Sequence, residues 1–450
     1  MTLVSSLALL VGTLFFLSPH LAIVWGETLW PAAATPLIQD KPFIVVWNTP
    51  SAACKTKFNV DLELSVFDIV ENANGSFIGK NITIFYKSKL GRYPFYTKDS
   101  LPVYDGLVQI ASLNKHLKKA AEDIHSLLAA DFHGLAVIDW EEWRPLWDRN
   151  WGSMTIYKKK SKELVRSKYP HLPEKKVNWL AKEEFEDAAK NFMSATLKLG
   201  KKLRPEGLWG FYKFPDCYNY LKENATTNYT GHCNSKDIPR NNQLSWLWKV
   251  SRVLYPSIYI SEKLKSTINA QKFVHYKIKE ALRVSALNEV IESLPVLAYA
   301  RYVYEKSLDF LTEADLIHTI GESAAMGTSG VVLWGDMEIA HTMKLCEALK
   351  DYIDEKLGKY VLNTTTAAML CSRVMCGGHG RCVRQDPESR AYLHLDPRSF
   401  EIISVLSSSG STLTARGSLH LKDVQNMKAR FTCHCYRGWT GSHCQDKSFF

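Results

Sequence analysis

Between residues 40 and 350 the chain repeats short apolar runs at intervals long enough to hold a helix, and this alternation narrows the architectures open to it. The runs are Phe43–Trp47, Ile82–Tyr86, Leu135–Asp139, Leu208–Tyr212, Ser257–Ile260, Val296–Ala300 and Gly330–Trp334. Each has the length of a buried strand, and strands joined by helical crossovers pair in parallel. Helical periodicity fills several of the gaps. Leu113, Leu117, Ala120, Ile124 and Leu127 share one face behind Ser112, a residue suited to cap a helix, and Ala181, Phe185, Ala188, Phe192, Ala195 and Leu199 repeat the pattern. Seven or eight such strands favour a (β/α) TIM-like barrel over residues 40–360 rather than an open doubly wound sheet. No Gly-x-Gly-x-x-Gly or Walker pattern opens a helix, which argues against a nucleotide-binding fold.

In such a barrel the chemistry gathers at the C-terminal ends of the strands. The third run, Gly134-Leu-Ala-Val-Ile-Asp-Trp-Glu-Glu-Trp143, stops at two carboxylates, Asp139 and Glu141. Side chains alternate along a strand, so these two point the same way about 7 Å apart, while Trp140 and Glu142 face the other side. Desolvation and mutual repulsion keep a proton on one member of such a pair. A two-carboxylate glycosidase places its groups on either side of the scissile bond, whereas this pair approaches from one side. Glu141 therefore reads as a proton donor and Asp139 as its assistant, with the nucleophile supplied from elsewhere, the substrate included. The plainer alternative is an Asp that caps the following segment beside a solvated Glu. Other strand ends carry Tyr86, Tyr212 with Asp216, Tyr259 and Trp334, side chains that stack on sugar rings and bond their hydroxyls, although each alone also reads as core packing.

Residues 1–26 read as a signal peptide around the apolar core Leu7–Leu17, although no Lys or Arg precedes that core. No later stretch reaches the ~18 apolar residues of a membrane span, and the mature protein is expected to be soluble. Ten cysteines and five Asn-x-Ser/Thr sequons, at Asn74, Asn81, Asn224, Asn228 and Asn363, fit an oxidising compartment and glycosylation. A formal charge of +10 suits a polyanionic partner such as an acidic polysaccharide or a membrane surface, and secretion makes nucleic acid the poorest fit. Runs such as Lys158-Lys-Lys160 also read as solvated helix faces. Near the C-terminus the spacing becomes Cys371-x4-Cys376-x5-Cys382, and then Cys433-x-Cys435-Tyr-Arg-Gly438-Trp439-Thr-Gly441-Ser-His-Cys444. The last part resembles an EGF-like module over residues 367–446, interrupted by a long insertion at 383–432. His379, His434 and His443 leave a zinc site as the alternative, but the secretory context and paired glycines favour disulfides.

Three longer motifs go further: Asp139-Trp-Glu-Glu-Trp-Arg-Pro-Leu-Trp-Asp-Arg-Asn-Trp151, Trp209-Gly-Phe-Tyr-Lys-Phe-Pro-Asp-Cys-Tyr-Asn219 and Gly321-Glu-Ser-Ala-Ala-Met-Gly327. With the tail they make the chain resemble the animal hyaluronidases, the sperm-surface, venom and lysosomal enzymes, from about Pro42 to Cys444. The resemblance implies endo-hydrolysis of β-1,4 N-acetylhexosaminide bonds in hyaluronan, and of chondroitin more slowly, with retention and without metal or cofactor. It implies that Glu141 donates the proton, that Asp139 assists, that the substrate's N-acetyl carbonyl attacks, and that Tyr259 positions the acetamido group. Tyr86, Tyr212, Asp216 and Trp334 match cleft residues. Lys277 stands where several relatives carry Arg near the cleft, which keeps the charge and loses the bidentate fork. The same resemblance pairs Cys54 with Cys346, Cys217 with Cys233, Cys371 with Cys382, Cys376 with Cys433 and Cys435 with Cys444. It further implies a monomer, secreted or stored in a lysosomal or acrosomal vesicle. The competing expectations are a hyaluronan-binding protein that has lost catalysis and a hydrolase tuned to chondroitin.

Overall fold

In the computed structural model, which describes residues 31–72, 75–221, 228–287, 292–407 and 410–448, most of the apolar runs become parallel strands. In chain order these are β1 (Ile44–Asn48), β2 (Ile69–Val70), β3 (Ile82–Tyr86), a short hairpin of β4 (Phe95–Tyr96) and β5 (Pro102–Val103), β6 (Leu135–Asp139), β7 (Leu208–Phe211), β8 (Leu297–Ala300) and β9 (Gly330–Trp334). One sheet runs β2-β1-β9-β8 and a second runs β3-β6-β7. Parallel bridges Tyr212↔Tyr255, Leu254↔Val296 and Ser257↔Tyr299 join β7 to β8. The result is a (β/α) barrel, with an open seam in the hydrogen-bonded ladder between β3 and the β1–β2 edge among the described residues.

The expected strand at Ser257–Ile260 is the one that does not form; its stretch contributes isolated bridges only. Pro256 has no N–H to give a ladder, and what remains is its carbonyl accepting from Tyr299 N at 2.8 Å. The chain just before this segment passes so close to β7 that a Cβ on Gly210 would sit 2.6 Å from Val253 O, a contact only glycine avoids.

Alternation along the strands sorts the core into an inside and an outside. Ile44, Val46, Ile82, Ile84, Leu135, Val137, Leu297, Tyr299 and Val332 fill the barrel. Val45, Trp47, Ala298, Val331 and Leu333 face outward into the largest helical layer, while Phe85, Ala136 and Ile138 face a second layer that includes the helix Glu174–Leu203. Both periodic segments are helices. Leu113–Leu127 begins with the Ser112 hydroxyl accepting from Lys115 N, and the second pattern lies within Glu174–Leu203.

The C-terminal part docks on this barrel through the helix Gly358–Cys376, the pair β10 (Gly380–Arg384) and β13 (Phe431–Cys435), and the hairpin β11 (Phe400–Ser407) and β12 (Gly410–Gly417). Residues from Pro31 onward make one compact unit. The attachment is ionic as well as apolar. Arg384 makes two 2.8 Å bonds to Glu322, one to each carboxylate oxygen, and His275 Nδ1 stands 2.8 Å from Glu322 Oε1, with all three side chains buried. Arg381 donates to Ala34 O at 2.7 Å and to Ser329 Oγ at 3.1 Å. Disulfides join Cys54–Cys346, Cys217–Cys233, Cys371–Cys382, Cys376–Cys433 and Cys435–Cys444, which uses all ten cysteines and leaves no thiolate for a zinc site. No helix among the described residues is long and apolar enough to cross a membrane. Residues 1–26, Asn74 and Asn224 lie outside the described residues. Asn228 is exposed, Asn81 is half-buried before β3, and Asn363 is half-buried with its Oδ1 accepting from Leu395 N at 3.1 Å.

Candidate active site

The C-terminal ends of the strands surround a cleft of about 450 Å³ lined by Tyr86, Asp139, Glu141, Tyr212, Tyr259 and Trp334, together with Lys213, Tyr220, Ser257, Tyr299, Arg301 and Asp336 among others. Strand register explains why these residues meet. Tyr86 and Asp139 are partners at the ends of β3 and β6, and Tyr212, one residue past β7, donates its N–H to Ile138 O at 3.0 Å. Trp334 ends β9, and its Nε1 donates to Tyr86 Oη at 3.3 Å across the mouth. Tyr259 stacks on Trp334 with centroids 6.3 Å apart and the planes 20° from parallel. Tyr212 Oη bonds Ser257 Oγ at 3.4 Å. Five tyrosines and a tryptophan thus line the cleft together with the two carboxylates.

The two carboxylates occupy different environments. Burial is the main cause that pushes the Asp139 carboxyl up to about 7; the Glu141 charge adds to it, and the Lys213 and Arg144 cations oppose it. Asp139 Oδ1 is buried and has no hydrogen-bond partner within the protein. Glu141 is more open: its Oε2 accepts from Lys213 Nζ at 2.6 Å and lies 3.5 Å from Arg144 Nη2, while its carbonyl accepts from Arg144 Nη1 at 3.0 Å. Burial also pushes the phenols of Tyr86, Tyr212 and Tyr259 up, so all three stay neutral donors. Trp140 and Trp143 do not face the cleft. Trp140 stacks on Tyr93 at 4.5 Å, and Trp143 Nε1 donates to Pro94 O at 2.9 Å, which anchors the loop after β6 from behind.

Two of the residues expected in the cleft lie behind it. Asp216 is held by Arg149, and its carbonyl accepts from Asn241 Nδ2 at 2.9 Å. Lys277, on the helix Ile268–Ser285, is buried: its Nζ donates to Cys217 O at 2.8 Å and lies 5.0 Å from the Tyr220 ring centroid. Burial lowers this ammonium to about 8, against the charge of Asp216. Lys277 therefore sits behind Tyr220, which lines the cleft. Lys213 and Arg301 were not picked out from the sequence. Each is the first residue beyond a strand-end position already identified, and that offset is the signal available for them. Arg301 lies 5.2 Å from the Trp334 ring and donates to Asp336 Oδ2 at 2.9 Å. Lys213 has φ +68, a left-handed conformation that favours glycine. A lysine held there at the mouth of a cleft is backbone strain of the kind that collects at functional sites.

The sequence pattern of the hyaluronidase family matches residues 32–448. Hyaluronidase-1 of Cerastes cerastes is 44% identical over 418 residues, 92% of this chain and 93% of that protein. A hyaluronidase of Crotalus adamanteus is 45% identical over the same shares. Among solved structures, bee venom hyaluronidase aligns with a TM-score of 0.62 at 31% identity, covering 71% of this chain and 99% of that one. The same enzyme in complex with a hyaluronic acid tetramer aligns with a TM-score of 0.63 at 32% identity, covering 71% and 98%.

Proposed function

The chain belongs to the hyaluronidase family of glycoside hydrolases, and from that membership we propose that it cleaves hyaluronan internally, with Glu141 as general acid and then base. The observation that carries this reading is the same-side pair of Asp139 and Glu141 in an aromatic cleft, with Asp139 Oδ1 buried and unpartnered. Glu141 protonates the glycosidic oxygen as that bond to the anomeric carbon breaks. The carbonyl oxygen of the substrate's own acetamido group attacks the anomeric carbon from the opposite face, and a cyclic oxazolinium forms. Glu141, now ionised, takes a proton from water as the water opens the ring, and two inversions give retention. The free oxygen of Asp139 accepts the acetamide N–H, which strengthens that carbonyl as a nucleophile, and Tyr259 holds the group in place. Lys213, Arg301 and Lys306 line the cleft and suit a chain of uronates, and Glu305 and Asp336 line it as well.

Five disulfides and a signal-like N-terminus support export, either to the extracellular space or to an acidic storage vesicle. The direct test is hyaluronan hydrolysis by the wild type and Glu141→Gln. The variant is expected to fold normally and to lose about 10²–10⁴-fold in turnover, the scale of general acid catalysis. A folded variant with wild-type turnover would sink the assignment, and a wild type that binds hyaluronan without cutting it would favour a binding protein.

A further inference from the structure

Beside the cleft three large aromatic side chains stand exposed in a file. Tyr220, which lines the cleft, lies 5.0 Å from Tyr218 by ring centroids, and Tyr218 lies 5.5 Å from Trp151. Their exposures are 46%, 40% and 53%, high for rings of this size. Contacts among the described residues tie down the stretch that carries the two tyrosines. Cys217–Cys233 closes the segment beneath it, Asn219 Nδ2 donates to Gly231 O at 2.7 Å and to Phe273 O at 3.0 Å, and Tyr229 Oη donates to Asn219 O at 2.7 Å.

Each tyrosine is backed by a cation that is itself anchored. The Arg149 guanidinium lies 5.2 Å from the Tyr218 ring and is tied to Asp216 and Asp237. The Lys277 ammonium lies 5.0 Å from Tyr220 and is tied to Cys217 O. Exposed rings set this close suit the apolar C–H faces of sugar rings, and the two cations fix the tyrosines from behind.

We propose that Trp151, Tyr218 and Tyr220 form an outer subsite on which an alternating acetamido-sugar and uronate polymer stacks as it leaves the catalytic cleft. The subsite rests on the hyaluronan reading and extends it from the bond that breaks to the length of chain that is held. Because the site lies beyond the reacting atoms, it acts on long substrates and not on the shortest ones.

The experiment compares KM and kcat for polymeric hyaluronan and for the shortest hyaluronan oligosaccharide that the wild type cleaves. Trp151→Ala and Tyr218→Ala are each expected to raise KM for the polymer about three- to tenfold, the scale of one aromatic stacking contact, with kcat within about twofold. The rise is expected to be clearly smaller for the short oligosaccharide. Trp151→Phe keeps a ring and is expected to recover most of the loss. Trp179→Ala, which removes a 60% exposed indole that does not line the cleft, serves as the control and should match the wild type. Equal rises for long and short substrates, or no change for either, would overturn the subsite. Calorimetric binding of the polymer to Glu141→Gln with and without Trp151→Ala tests it apart from turnover: weaker binding by the double variant supports it, and equal binding refutes it. Absence of hydrolysis by the wild type would instead count against the hyaluronan reading itself.

Discussion

Asp139 and Glu141 were legible as a pair because the period of a strand is two, and two carboxylates at that spacing must share a side. The environment of each was not, because it depends on residues distant in the chain. Asp139 is walled by Tyr86, Tyr212 and Tyr299 and holds its proton up to about 7, while Glu141 meets Lys213, whose position follows from a left-handed backbone that no local pattern announces. The raised Asp139 carboxyl has a kinetic consequence. Asp139 loses its proton as pH rises through about 7, so kcat/KM for hyaluronan should bend there, and Asp139→Asn should remove or displace that inflection. It has a thermodynamic consequence as well. A carboxyl whose folded value lies above its unfolded value stabilises the fold fully below about 4 and loses that contribution as pH approaches 7. Relative to Asp139→Asn, the wild type should therefore lose melting temperature between pH 4.5 and 7.5. Parallel melting curves across that window would refute the buried, protonated state.

Elements were read best where the local signal and the tertiary need agree, as in the Ser112 cap and the apolar faces of the two long helices. They were read worst where a single residue overrides a β-prone run. Ser257–Ile260 reads as a strand, yet Pro256 just before it leaves the stretch with bridges alone. Asp216 was assigned to the cleft from its place beyond a strand end and Lys277 by resemblance, and the difference lies in where a loop and a helix turn their side chains, which spacing does not encode. The same contest between local and tertiary preference predicts the sign of one substitution. Gly200→Ala in the helix Glu174–Leu203 would normally stabilise a helix by about 0.5–1 kcal/mol. Here the new Cβ would stand 2.6 Å from the fully buried ring of Trp209, which has no room to move. Overpacking costs about 1–3 kcal/mol, so the variant should be less stable in thermal melts; a gain in stability would show that the ring can yield.

At the scale of the molecule the barrel class followed from the rhythm of strands and helices, while the open seam and the docking of the C-terminal part did not, since both depend on contacts between residues far apart in the chain. Cys54 and Cys346 join the two ends of the barrel across 292 residues. A loop of that length places the loss of this disulfide at the upper end of the usual 2–5 kcal/mol. Cys54→Ala with Cys346→Ala should lower the denaturation midpoint accordingly, far more than the loss of Cys217–Cys233, whose loop spans 16 residues. Equal losses would mean that unfolded-chain entropy is not what this bridge acts on.

The bridge also sets a clock on biosynthesis. β1 has β2 on one edge and β9 on the other, and Cys54 pairs with Cys346, so the first strand finds its second neighbour only when the barrel is almost fully made. At about 5–20 residues per second, Cys54 waits roughly 15–60 s as a free thiol beside an unpaired strand edge. For that interval the nascent chain depends on whatever helpers shield thiols and strand edges in its compartment, and the yield of folded protein should track them more closely than it tracks the stability of the finished molecule.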